Sequence, residues 1–135
     1  MKPIDQTKLY FPNGNCLAAS LASILELQLS EVPEFEKWKE DTEEWWWELN
    51  KWLEEIGFTL LQWSDGNPSW LPGYYLVSGI SERGISHIVV YQNGKMVHDP
   101  HPSKTGLKEI KESWALLLID PSKCNHRIHS GTACR

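Results

Sequence analysis

The sequence predicts an α+β fold, with N-terminal helices packed on an antiparallel β-sheet. Three observations carry the expectation. Up to Gly57, apolar residues recur at the i, i+4, i+7 spacing of a buried helix face. From Phe58 onward they fall in short runs rich in β-branched and aromatic residues, punctuated by turn residues. Most of those runs are joined by short turns, which pair strands antiparallel rather than through helical crossovers. At 135 residues, with 41% apolar and 23% charged side chains, the chain has the length and composition of one ordinary domain.

Taken in order, residues 1–12 read as irregular, with Pro3 and Pro12 as breakers. Asn13-Gly14-Asn15 is a polar turn into a helix expected from about Cys16 to Leu27. Leu17, Leu21, Ile24 and Leu25 form its buried stripe, Ala18, Ala19 and Ala22 favour the helix and permit close packing, and Ser20 and Ser23 are polar residues of its interior. Ser30 to Pro33 is a turn, and residues 34–41 hold a short helix. Thr42-Glu43-Glu44 caps a second long helix, whose stripe is Trp45, Leu49, Trp52, Leu53 and Ile56 and whose end is Gly57. Trp45-Trp46-Trp47 cannot all face one core, so Trp46 or Trp47 is expected outside. Strands follow at Phe58–Trp63, Tyr74–Gly79, His87–Tyr91 and Lys95–Asp99, and a fully buried one at Trp114–Asp120. Residues 1–122 thus form the domain, and 123–135 a loosely ordered tail.

A net charge of −5 argues against an electrostatic nucleic-acid binder. No apolar run is long enough for a membrane span. Met1 to Gln6 lacks the apolar stretch of a signal peptide, so a cytoplasmic location is expected. Three cysteines, with Cys16 remote from Cys124 and Cys134, favour a functional thiol over a disulfide framework in a reducing compartment.

Cys16 is that thiol. At the first turn of a helix it meets unpaired N–H groups and the helix dipole, a setting that favours thiolate over thiol. The competing reading is a small buried core residue. A thiol nucleophile needs a base, and the base an orienting group. His87 and Asp99 lie on neighbouring strands, and register decides whether they meet. A two-residue Asn93-Gly94 turn puts them on opposite faces. A three-residue Gln92-Asn93-Gly94 loop with Gly94 left-handed pairs Tyr91 with Lys95 and sets His87 opposite Asp99. A catalytic reading therefore expects the three-residue loop, or a bulge elsewhere with the same effect.

Gly14-Asn15-Cys16 opening a helix, then His87-Ile88-Val89-Val90 and Val97-His98-Asp99-Pro100, resembles the papain-like cysteine peptidases. The nearest likeness is to the bacterial double-glycine-leader (bacteriocin-processing) peptidases. The resemblance spans residues 4–120 and implies a papain-like fold and a bacterial or phage thiol protease. Cys16 would be its nucleophile, His87 its general base and Asp99 the residue orienting the imidazole. Such peptidases also use an oxyanion glutamine shortly before the cysteine; Gln6 is a candidate, with Asn13 and Asn15 as rivals, and the Cys16 N–H can donate as well. The implied reaction is hydrolysis of an amide, peptide or isopeptide bond through an acyl-enzyme. A transglutaminase-like acyltransferase or deamidase shares the triad order. An inactive binding module using the tryptophan-rich helix is the alternative from another class.

A metal site on His87, His98, Asp99 and His101 is a further possibility, opposed by the adjacency of His98 and Asp99, which point to opposite faces of a strand. His98 and His101 otherwise read as rim or loop residues. Cys124, His126, His129 and Cys134 could bind zinc or form a disulfide, at a spacing that matches no standard finger. No cofactor and no metal is expected. The partner is a peptide or other amide-containing substrate, with no nucleic acid and no membrane; the oligomeric state is open.

Overall fold

A computed structural model describes residues 1–10, 14–38, 43–64 and 68–124. It is α+β, with two helices packed on a five-stranded antiparallel sheet. Helix α1 (Cys16–Leu25) stops two residues before the expected end, at Glu26 in the left-handed region. Of the short helix expected over 34–41, the described residues 34–38 hold a 3-10 turn, Phe35–Lys37. Helix α2 (Glu44–Glu55) follows, with Ile56 as C-cap. The strands are β1 (Phe58–Trp63), β2 (Tyr74–Ser81), β3 (Ser86–Gln92), β4 (Lys95–His98) and β5 (Leu107–Leu118), in the spatial order β1-β5-β2-β3-β4. The capping reading of Thr42, the oxyanion reading of Asn13 and the readings of the tail from residue 125 lie outside the described residues.

The helices cover one face of the sheet. Leu21, Ile24 and Leu25 of α1 and Leu49 and Leu53 of α2 are fully buried, against Phe58, Leu76, Val90, Trp114 and Leu116 from the strands. Of the expected stripe of α2, Leu49 and Leu53 are the buried members. Trp45, Trp46, Trp52 and Ile56 are partly buried at its margins, while Trp47 is 69% exposed. A smaller apolar cluster of Tyr75, Val77, Val89 and Ala115 lies apart from this core.

Strand β5 departs most from expectation. It runs twelve residues, from Leu107, and inserts between β1 and β2. Its first half, Leu107 to Ser113, carries Lys108, Glu109, Lys111 and Glu112, which hide a strand from an apolar-run criterion. Nor is its end fully buried: Leu117 is 39% and Ile119, just beyond it, 56% exposed. A bulge between Ser78 and Gly79 shifts its register on β2, where a Cβ on Gly79 would fall on the carbonyl oxygen of Glu109.

The irregular N-terminal segment is tied across the domain. Ile4 N donates to the Ser23 hydroxyl at 2.9 Å, and Gln6 N to the Pro100 carbonyl at 2.9 Å. The His98 ring bonds the Ile4 carbonyl at 2.7 Å. His98 is therefore a buried anchor for this segment and not the rim residue expected from the sequence. Of the helix-interior serines, Ser23 accepts from Ile4 N and bonds Ala19 O within the helix at 2.8 Å, while Ser20 ties α1 to β3 by donating to Ile88 O at 3.4 Å.

Candidate active site

Cys16 is the first residue of α1, and His87 the second of β3. Both line a cleft of about 420 Å³. Cys16 stands beside the His87 imidazole and helps to hold it above its ordinary value. The Nε2 of the same ring lies 2.7 Å from Asp99 Oδ1, so Nδ1 is the ring nitrogen left for the sulfur. His87 and Asp99 are 3% and 1% exposed, so the pair is shielded from water, while Cys16 is partly open to the cleft.

The route by which His87 meets Asp99 corrects the expected loop. The turn has two residues, with Gln92 paired to Lys95 and Tyr91 to Met96. Asn93 and Gly94 both have positive φ, 53° and 79°, as a type I′ turn requires. On its own that turn would put His87 and Asp99 on opposite faces. Val90 pairs with His98, however, so Val97 is one residue too many on β4. This bulge restores the parity. Asp99 then falls opposite Val89, one diagonal step from His87 rather than directly across from it. The sequence reading named a compensating bulge as the alternative, without its position.

Asp99 is held from several sides. Its Oδ1 also accepts from His101 N at 2.9 Å, and its Oδ2 from Gly106 N at 2.8 Å. Lys104 Nζ bonds the Asp99 carbonyl oxygen at 2.7 Å. Burial acts to raise the Asp99 carboxyl, but the hydrogen bonds from His87, His101 and Gly106 outweigh it and hold the group at about 2. Burial likewise acts to lower His87. The hydrogen bonds to Asp99 and Cys16, with their charges, outweigh that and lift it to about 9. A cationic imidazole therefore stands beside Cys16 at neutral pH. His101, edge-on to His87 at 6.2 Å between ring centres, is held below its ordinary value by burial and by Arg83, so it does not compete as a second cation. The ligand sets of His101 and Gly106 were hidden from sequence because backbone N–H groups leave no residue signature.

Of the oxyanion candidates, Asn15 is bound into the turn: its Oδ1 accepts from Thr7 N and Lys8 N at 3.0 and 2.9 Å, and its Nδ2 donates to Thr7 Oγ1 at 3.0 Å. Its amide keeps a second N–H, and the residue lines the cleft. Gln6 is buried beside Gly14, giving one amide N–H to Lys8 O at 2.8 Å and keeping a second. As for metals, the described residues contain no cluster of three ligands; His98 turns to Ile4 while Asp99 turns to His87. Comparisons with protein-family models, curated proteins and solved structures found no match to this chain.

Proposed function

We propose that the protein is a papain-like cysteine hydrolase that cleaves an amide, peptide or isopeptide bond through an acyl-enzyme. The observation that carries this reading is the relay from Cys16 to His87 to Asp99 at the edge of one cleft. A nucleophile at a helix N-terminus, a base within hydrogen-bond reach and a buried anion fixing the base are the parts that nucleophilic acyl transfer needs.

In the first step the Cys16 sulfur attacks the carbonyl carbon. The S–C bond forms, the C–N bond breaks, and His87 gives its Nδ1 proton to the departing amine. In the second step water attacks the thioester, His87 takes a proton from it, and sulfur leaves. Asp99 stays ionised throughout, because its two backbone N–H donors and the imidazole all favour the anion. The donors available to the developing oxyanion are the Cys16 N–H at the start of α1 and a side-chain amide N–H, from Asn15 in the cleft lining or from Gln6 beside Gly14.

An activated ester such as p-nitrophenyl acetate tests the reading without knowledge of the natural substrate. The expected result is a burst of one nitrophenolate per protein and an acetyl group on Cys16 by mass spectrometry, absent in Cys16→Ser. Acylation spread over other residues, or no acyl adduct at Cys16, would overturn it; Cys124 is disulfide-bonded and offers no competing thiol.

A further inference from the structure

Beside Cys16 the cleft is walled by Phe35, Glu36 and Trp38 from the turn before α2, by Trp45 of α2 and by Trp114 of β5. Glu36 is the anomaly in this wall. Its side chain is only 6% exposed, yet a carboxylate this buried normally has both oxygens satisfied. Its Oε1 lies 3.4 Å from Lys8 Nζ, and its Oε2 has no hydrogen-bond partner among the described residues. Other walls of the same cleft are aromatic: Trp45 and Trp114 pack with ring centres 6.1 Å apart.

A buried oxygen without a donor, in the wall of a cleft that also carries indole rings, suits an alkylammonium or guanidinium group. The carboxylate supplies the ion pair and the ring faces a cation–π attraction. Lys8 already places an ammonium on the other oxygen of Glu36. An acidic side chain would meet Glu36 as a like charge, and an aliphatic one would leave Oε2 as it is. The remaining charges of the lining are Lys111, exposed at the rim, Glu112, which bonds Gln62, and the His87 imidazole. Positive and negative charges are balanced there, so selectivity falls to Glu36.

We infer that this wall is the subsite for a cationic substrate side chain, an ammonium or a guanidinium, next to the bond that Cys16 attacks. The inference rests on the hydrolase reading for its chemistry, but the wall can be tested apart from turnover.

Matched lysyl, arginyl, norleucyl and glutamyl chloromethyl ketones report the subsite through the rate at which each alkylates Cys16. The lysyl or arginyl reagent, or both, should react at least tenfold faster than the norleucyl one, and the glutamyl reagent slowest; which cation leads names the source. Glu36→Gln should bring the cationic and norleucyl rates together. Lys8→Met, which removes the resident ammonium, should widen the gap. Equal rates in the wild type, a preference that survives Glu36→Gln, or a gap that Lys8→Met fails to widen would overturn the assignment. If Cys16 reacts with none of the reagents, the hydrolase reading fails, and the subsite is judged by binding to Cys16→Ser. Tryptophan fluorescence should then give N-acetyl-lysine methylamide or its arginine analogue a Kd at least tenfold below that of the norleucine analogue. Equal affinity would sink the subsite as well.

Discussion

Asp99 does more than pair with a histidine. Its two oxygens take three donors, so Asp99→Asn removes the anion while leaving an oxygen for a backbone N–H. That variant should fold and lose about 10²–10⁴-fold in acylation rate, since the imidazole loses both its orientation and its charge partner; a loss below threefold in a stopped-flow burst would show that Asp99 does not orient the base. The pair also makes stability depend on pH, with a sign that follows from the two shifts. His87 rises from 6.5 to about 9 on folding, so its contribution is full below pH 6.5 and disappears as pH climbs through 9. Asp99 falls from 3.8 to about 2, so its contribution is full above pH 3.8 and disappears as pH drops through 2. Urea unfolding of wild type and His87→Gln should therefore differ more at pH 5.5 than at pH 9.5; an equal or reversed difference would contradict the raised histidine. The grouping of Cys16, His87 and Asp99 was legible because a cysteine opening a helix and a histidine and an aspartate in one hairpin are local features of the sequence. Glu36 was not, because a glutamate in a weakly patterned turn reads as surface until its burial is seen.

Among the elements, the β3–β4 hairpin shows where local pattern runs out. Asn93-Gly94 announces a two-residue turn, and it forms one. The bulge at Val97 has no comparable signature, since valine suits any strand position. Parity, and with it the meeting of His87 and Asp99, depends on that unsignalled residue. Deleting Val97 should flip Asp99 away from His87 and abolish Cys16 acylation, whereas Val97→Thr should keep it; retained acylation in the deletion would refute the role given to the bulge. Helix α2 is the opposite case, legible from spacing alone. Leu53→Ala should cost about 2–5 kcal/mol in unfolding free energy, and Trp47→Ala less than about 0.5 kcal/mol. A reversed order in thermal or urea melts would mean that the helix packs on another face. Strand β5 was half read because its charged first half follows neither an apolar run nor a tight turn.

Across the whole molecule, the sequence carried the class of fold and the order of its elements, since helical and strand periods separate cleanly at Gly57. Its sheet order was hidden, because inserting β5 between β1 and β2 is decided by long-range pairing that no local window contains. The N-terminal segment was hidden for the same reason: residues 1–10 look irregular, yet Ile4 and Gln6 bond to groups that stand 19 and more positions along the chain. These ties hold α1, the hairpin and the Asp99 loop to one another, and the relay at the cleft follows from that arrangement.

The most direct measurement is the rate at which iodoacetamide alkylates Cys16 as a function of pH, in the wild type and in His87→Ala, against a small model thiol. With a cationic His87 beside the sulfur, Cys16 should react faster than the model thiol at pH 7. The advantage should fade as pH rises through about 9, where His87 loses its charge, and should vanish in His87→Ala. A wild-type rate at or below that of the model thiol at pH 7, or an advantage untouched by His87→Ala, would contradict the relay of Cys16, His87 and Asp99.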